Sequence, residues 1–247
     1  MSETSRRLFS VWYEDLLDRW KAWRTWHRAR TYQDLLDINT HLLRVRHAQI
    51  NSALAAPGAR FALTAQIELN LAGIFTLTAQ TGHTFNRTFN DPIEHRAAIH
   101  VIIPDSEAWD WLEDWLYNGD HSALARGDNT GIEYTVNELR NPDHDPEQRY
   151  AAATRGVPVT RVGGPANGWR NAGFLGSQAT AAEIYESYPA GPDAMAQLYR
   201  GWQITFYDTT WGESNLFAVL YEAAKARQVR LGLLDTEDAG ELAAATD

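Results

Sequence analysis

Apolar positions in the first quarter of the chain follow a helical period. Between residues 6 and 30 they recur at steps of three and four: Phe9, Trp12, Leu16, Trp20 and Trp23. Thr31 and Asp34 then have the spacing of a capping box, with Asp in place of the usual Glu, and predict the start of a second helix. Ala56, Pro57 and Gly58 predict its end. The pattern therefore predicts a hairpin of two long helices over residues 1–57.

The period changes to two after residue 60. Apolar and polar residues alternate from Phe61 to Leu71, and again from Phe75 to Ala79, which is typical of half-buried strands. A three-residue loop at 72–74, with Gly73 in a left-handed conformation, would align the apolar faces of the two runs. This pattern predicts a β-hairpin, and a single strand bent at Gly73 is the competing interpretation.

The rest of the chain mixes strands and helices without strict alternation. The predicted elements are a central strand at 98–103, a helix at 104–117, a strand at 132–137, an edge strand at 157–162, a helix opening at Pro192, a strand at 202–207 and a helix capped by Ser214. This order predicts an α+β fold, in which an N-terminal helical hairpin is followed by a mainly antiparallel sheet with helices on one face.

Charge divides the chain into three regions. The net charge is −10, yet residues 1–56 hold nine basic and six acidic residues, and residues 235–247 hold five acids and no base. We therefore expect a basic, Trp-rich helical hairpin (1–57), an α+β body (58–234) and a flexible acidic tail (235–247). The opposite charges of the hairpin and the body predict docking between them, within one chain or between chains.

Composition excludes several chemistries. The absence of cysteine excludes a thiol nucleophile, a disulfide framework and cysteine-bound zinc. Lys21 and Lys225 are the only lysines, and the sequence has no phosphate-binding loop. No apolar run reaches the ~20 residues of a membrane-spanning helix, and the N-terminus does not resemble a signal peptide. We therefore expect a protein without a cofactor or membrane contact, located in the cytoplasm or in a virion.

A glycine-rich segment at residues 163–176 holds five glycines in fourteen residues. It presents Trp169 and Arg170, flanked by Asn167 and Asn171, and Trp and Arg are enriched at binding hot spots. We predict that these four residues bind a partner from a mobile loop. The alternative is a long connector whose tryptophan folds back onto the core.

Tryptophan and arginine concentrate in the N-terminal hairpin. Trp12 and Trp26 lie among the Trp residues of the first helix and are predicted to contact a partner, because large aromatic residues are enriched at interfaces. A core packed with tryptophan is the equally weighted alternative. Arg28 belongs to a segment, 24–30, that interleaves aromatic and cationic residues. With Arg44, Arg46 and His47 this segment suggests a nucleic-acid surface, but the acidic body disfavours that interpretation.

Acidic and imidazole side chains cluster most densely at Asp91, Glu94, His95 and His100. Such groups are potential ligands for a hydrolytic metal ion. His100 lies in the predicted central strand, where a histidine that is simply buried in the core is the competing explanation.

The leading hypothesis is a non-enzymatic protein for interaction or structural assembly, which forms a homo-oligomer or binds a protein partner. An accessory protein of a phage or plasmid, or a virion component, is consistent with it. The alternatives are a metal-dependent hydrolase that uses the Asp/Glu/His cluster and a nucleic-acid-binding protein that uses the basic hairpin.

Overall fold

A computed structural model describes residues 24–50, 58–85, 92–117, 132–138, 157–164, 168–175, 184, 186–212 and 214–234. The helices in these ranges are α1 (Tyr32–Gln49), α2 (Ala59–Leu71), α3 (Ser106–Tyr117), α4 (Pro192–Arg200) and α5 (Leu216–Arg230). The strands are β1 (Phe75–Gln80), β2 (His83–Phe85), β3 (Ile93–His95), β4 (Ala98–Ile103), β5 (Ile132–Glu138), β6 (Val157–Gly164), β7 (Gly168–Leu175) and β8 (Trp202–Asp208). The predicted α+β class is confirmed.

The predicted capping box at Thr31 is confirmed. The Thr31 hydroxyl accepts a hydrogen bond from the Asp34 N–H, and the Asp34 carboxylate accepts one from the Thr31 N–H. α1 ends at Gln49, earlier than the predicted stop at 56–58. The preceding helix does not run to residue 30 as predicted, because the chain already turns at residues 27 and 28. Its predicted course over residues 6–23 and the acidic tail, 235–247, lie outside the described residues.

The predicted first strand of the hairpin is wrong, because residues 59–71 form helix α2. The buried side chains of this helix recur at helical steps of three and four: Ala62, Leu63, Ala65, Gln66, Ile67, Leu69 and Asn70. Alanine favours helices. Two polar residues of the alternating pattern, Gln66 and Asn70, are buried, so the alternation did not reflect one buried and one exposed face of a strand. Gly73 is left-handed as predicted, with φ of 87°, but it terminates α2 in a Schellman motif.

α1 and α2 form an antiparallel helical hairpin. Asn39 of α1 donates to the Asn70 side chain of α2 over 3.1 Å. Closer to the C-terminal end of α1, Nε2 of His47 lies 3.4 Å from the Thr64 hydroxyl. A helical hairpin is therefore present, but its second arm is the segment that the sequence pattern assigned to a strand.

Two antiparallel sheets follow, with strand orders β1-β4-β8-β5 and β2-β3-β6-β7. β4 is a central strand with all six residues buried, as predicted. β6 was predicted to be an edge strand at best because of Pro158, yet it lies between β3 and β7. Proline is tolerated there because β3 pairs only with residues 160–162 and the β6–β7 register shifts next to Pro158.

Helices contact both faces of the first sheet, which corrects the prediction of helices on one face. Ile99, Val101 and Ile103 of β4 pack with α2, α3 and α5. On the opposite face, Ile102 and its neighbour Phe75 pack with α1 and α4. β4 is apolar on both faces, so both require cover.

The second sheet contacts the first near one end of β4. Ala98 packs with Val157 and Val159 of β6, which form a small core of their own. This contact places the glycine-rich hairpin of the second sheet beside the loop that follows β8.

Candidate interaction surface on the second sheet

The glycine-rich segment is a β-hairpin rather than the mobile loop that the sequence predicted. β6 and β7 meet at Gly163 and Gly168, which have φ of 133° and 72°. A Cβ atom on Gly163 would lie 2.1 Å from the carbonyl oxygen of Gly168, so only glycine permits this approach. Trp169 lies opposite Gly163 in the register, and its Cα would be 3.2 Å from a Cβ atom on Gly163.

Trp169 packs against a cation. The guanidinium carbon of Arg161 on β6 lies 4.2 Å from the Trp169 ring centroid and 4.5 Å from that of Trp211. Arg161 also forms an ion pair with Glu94 of β3, with Nε donating to Oε2 over 2.7 Å. The guanidinium is thus enclosed between two aromatic rings while its charge is balanced by a carboxylate.

The stacking continues beyond Trp211. The guanidinium carbon of Arg96 lies 4.4 Å from the Trp211 ring centroid and 5.4 Å from that of Tyr207. The order along this arginine–aromatic stack is Trp169, Arg161, Trp211, Arg96 and Tyr207. It joins the β6–β7 hairpin to strand β8 of the first sheet, because Tyr207 belongs to β8.

Asp208 organises the turn that carries Trp211. Its carboxylate accepts hydrogen bonds from the Thr210 N–H at 2.8 Å, the Thr210 hydroxyl at 2.6 Å and the Ser214 hydroxyl at 2.6 Å. The Gly212 N–H donates to the His95 carbonyl oxygen over 3.0 Å. Hydrogen bonds before and after Trp211 in the chain therefore fix the turn that places its ring in the middle of the stack.

β7 is an edge strand. Among the described residues no strand pairs with its outer side, and Arg170, Asn171, Ala172 and Phe174 are exposed, Phe174 by 43%. An unpaired strand edge offers backbone N–H and C=O groups to another chain. Ala172 is an extra residue in the β6–β7 register, and such a bulge increases the local twist of the strand. We call residues 168–175 and their outer side the β7 edge.

The structure brings three of the predicted binding residues together. Trp169, Arg170 and Asn171 are consecutive on β7, with Trp169 in the stack and the other two exposed. Asn167 and Trp12 lie outside the described residues. Arg28 is exposed in a turn.

Trp26, which was also predicted to contact a partner, belongs to the core. It is 4% exposed and makes edge contacts with Phe75 and Tyr188 at centroid distances of 6.1 and 5.0 Å. Its ring fills space between α1, α4 and β1, so it is not available to a partner in this fold.

The basic residues of the N-terminal region do not form one patch. The 24–30 segment precedes α1, whereas Arg44 and Arg46 lie near its far end. At a rise of 1.5 Å per residue, Arg30 and Arg44 are separated by about 20 Å along the helix. The described basic residues are therefore spread along α1 rather than gathered at one point.

The proposed metal ligands are dispersed. Glu94 and His95 project to opposite faces of β3, where Glu94 pairs with Arg161 and His95 contacts Gln80 and Thr160. His100 lies in the other sheet. Within the described ranges no three His, Asp or Glu side chains come together as a metal site, and Asp91 lies outside those ranges.

His100 is a buried histidine of the core. It is 4% exposed and lies beside Thr205 of β8 in the register. Burial lowers the pKa of His100 to about 4, and a hydrogen bond with Gln203 partly opposes that shift. His100 is therefore neutral at neutral pH.

This pKa predicts acid destabilisation. The unfolded chain binds a proton at His100 near pH 6.5 while the folded chain does not, so stability decreases as the pH falls from 6.5 towards 4. The loss attributable to His100 is about 3 kcal/mol. Chemical denaturation of the wild type and of His100→Leu between these pH values tests it, since the variant should lose less stability on acidification. An identical pH dependence of the two proteins would contradict the prediction.

Sequence reasoning missed the residues that support Trp169. These residues come from three separate segments, with Arg96 after β3, Arg161 on β6, and Tyr207 and Trp211 at or just after the end of β8, and only the tertiary structure brings them together. The sequence signal for this surface was the Trp and Arg content of the glycine-rich segment.

No protein-family model matches the chain, and a search of curated proteins found no significant relative. Every helix in the described ranges is too short or too polar to span a bilayer.

Proposed function

We propose that this protein is a non-enzymatic assembly protein that associates with a second copy of itself through the β7 edge. The observation that carries the proposal is an eight-residue edge strand, unpaired among the described residues, that exposes Phe174 and is braced by the arginine–aromatic stack. Self-association of this kind is consistent with a structural role in a cytoplasmic assembly or a virion. An accessory protein of a phage or plasmid would be one example.

The stack supports docking by making the edge rigid. A strand that is already held in an extended conformation loses little conformational entropy when another strand pairs with it. Each arginine–ring contact contributes about 0.5–1 kcal/mol at a partly exposed site. Arg161 is occupied on both faces and by Glu94, so its role is to support Trp169 rather than to bind a ligand.

The residues of β7 favour a second copy as the partner. In an antiparallel pairing of two copies, the Trp169 end of one strand lies against the end of the other that carries Phe174 and Leu175. Apolar side chains then face one another, and the single charge of the strand, Arg170, is displaced from its counterpart. Backbone hydrogen bonds supply affinity in this mode of recognition, and side-chain matching supplies specificity.

Replacing Phe174 with glutamate is expected to weaken self-association. The substitution places a charge in the apolar part of the proposed interface, where it would be desolvated, and the β7 backbone remains intact. Sedimentation equilibrium should show a wild type that self-associates at micromolar concentrations and a variant that is at least about tenfold weaker, a change of about 1.4 kcal/mol.

Leu233→Glu is the matched control. Leu233 is 61% exposed after α5, so the same charge is introduced at an apolar residue away from β7. We expect this control to associate like the wild type. A monomeric wild type, or equal association of the Phe174→Glu variant, would overturn the proposal.

The two alternatives from the sequence receive no comparable support. The candidate metal ligands Glu94, His95 and His100 are separated, and the basic residues around Arg28 and Arg46 lie at opposite ends of α1.

A further inference from the structure

One glutamine side chain links the two sheets. Gln80, the last residue of β1, reaches into the second sheet, where its Nε2 donates to the Val159 carbonyl oxygen over 3.0 Å. The same nitrogen lies 2.6 Å from Nδ1 of His95 and 3.2 Å from the Thr160 hydroxyl. Together with the apolar contact at Ala98, this polar cluster connects β1 with β3 and β6.

Hydrogen-bond chemistry fixes the charge of His95 in this arrangement. The Val159 carbonyl oxygen can only accept, so the amide nitrogen of Gln80 must face it. One N–H of that amide goes to Val159, and the other points to Nδ1 of His95, which must therefore carry a lone pair. The ring is then neutral and protonated at Nε2. A proton on Nδ1 would set two donors against each other at 2.6 Å.

A second histidine stacks on the first. His83 of β2 pairs with His95 in the register, and the ring centroids are 4.4 Å apart with an interplanar angle of 26°. Nδ1 of His83 lies 3.1 Å from the Thr81 carbonyl oxygen, which only accepts, so that nitrogen carries a proton. A positive charge on either ring would repel a charge on the other.

Two charged side chains next to His95 in the chain are directed away from the pair. Glu94 is adjacent to His95 but lies on the other face of β3, paired with Arg161, and Arg96 stacks on Trp211. Gln80 and Thr160, which contact His95 from β1 and β6, are uncharged. His83 is a titratable group that faces His95 directly.

We propose that the contact between the two sheets is an acid-sensitive joint, in which protonation of His95 breaks its link to Gln80 and leaves Thr160 as its acceptor. The joint loosens while the apolar contact of Ala98 with Val157 and Val159 keeps the sheets together. Burial, followed by the charge of His83, lowers the pKa of His95, so the joint opens below the ordinary titration range of histidine. The inference is independent of self-association through the β7 edge.

Hydrogen exchange measured by mass spectrometry tests the joint. We expect the amides of β2 and β3 to lose about tenfold in protection between pH 7.5 and about pH 5, after correction for chemical exchange, while β4 and β8 change little. His95→Gln, which has no titrating group, should show no selective loss. His41→Gln, at an exposed histidine of α1, should behave like the wild type.

Three results would overturn the proposal: unchanged protection of β2 and β3, equal loss in all strands, or the same selective loss in His95→Gln. Nitrogen NMR of the wild-type histidines keeps the test independent of the variant's folding. The inferred joint requires an unprotonated Nδ1 at His95 at neutral pH, with the amides of β2 and β3 shifting as it titrates. A protonated Nδ1 at neutral pH would contradict it.

Discussion

Replacing Gly82 with alanine is expected to destabilise the protein by about 3 kcal/mol or more. A Cβ atom at this position would lie 1.9 Å from the carbonyl oxygen of Gly212 and 3.1 Å from the backbone nitrogen of Ala97. Both neighbours are backbone, so no side chain can move aside. The chain would have to separate the β1–β2 connection from the turn that carries Trp211.

Gly73→Ala is the matched control for this prediction. Gly73 has a left-handed φ of 87°, but a Cβ atom there has no neighbour within 4 Å. We expect this variant to lose only about 1 kcal/mol, the conformational penalty for a residue other than glycine. Urea denaturation of the two variants would separate a packing clash from a backbone preference. Equal stability of the two would show that the sheets do not approach each other at Gly82.

Replacing Trp211 with alanine should both destabilise the protein and weaken its association. Trp211 lies between Arg96 and Arg161, at centroid distances of 4.4 and 4.5 Å, so its loss removes two cation–π contacts and exposes both guanidinium groups. We expect a stability loss of about 3 kcal/mol, from the lost aromatic packing together with these contacts. Because Arg161 then supports Trp169 less well, the β7 edge should bind its counterpart weakly.

Trp111→Ala controls for the general effect of losing a tryptophan. Trp111 also contacts an arginine, Arg227, whose guanidinium carbon lies 5.5 Å from its ring centroid, but it belongs to α3 and packs against the first sheet's core. Thermal unfolding and sedimentation of both variants would separate stability from association. We expect Trp111→Ala to associate normally. Association of Trp211→Ala at wild-type strength would show that the stack does not support the edge.

The start of α1 and the central strand β4 were predicted correctly, because short stretches of neighbouring residues determine both. The capping box of Thr31 and Asp34 starts α1, and the apolar run of β4 marks a central strand. Both depend on residues close together in the chain, where side-chain chemistry selects the backbone conformation directly.

The error at α2 shows where a periodic pattern is insufficient. An alternation of apolar and polar residues predicted a strand at 61–71, yet Gln66 and Asn70 are buried and bonded within the helix and to Thr76. Hydrogen bonds within the helix and to Thr76 satisfy those polar groups and allow them to be buried on a helix. A pattern of hydrophobicity alone does not record such partners.

The candidate surface was partly predictable. Composition identified Trp169, Arg170 and Asn171, because Trp and Arg in a glycine-rich segment are typical of contact residues. It assigned them to a mobile loop, since the pairing of β7 with β6 was not visible in the sequence. Arg161 and Trp211 were missed because their contact depends on tertiary structure.

Concentration-dependent hydrogen exchange of β7 tests self-association through its edge most directly. If two copies pair along this strand, amides on the outer side of Gly168–Leu175 should become protected as the concentration rises from nanomolar to tens of micromolar. The amides of β4, which are paired within one copy, should not change. Equal exchange of the β7 amides at both concentrations, in a protein that associates in solution, would contradict docking through the β7 edge.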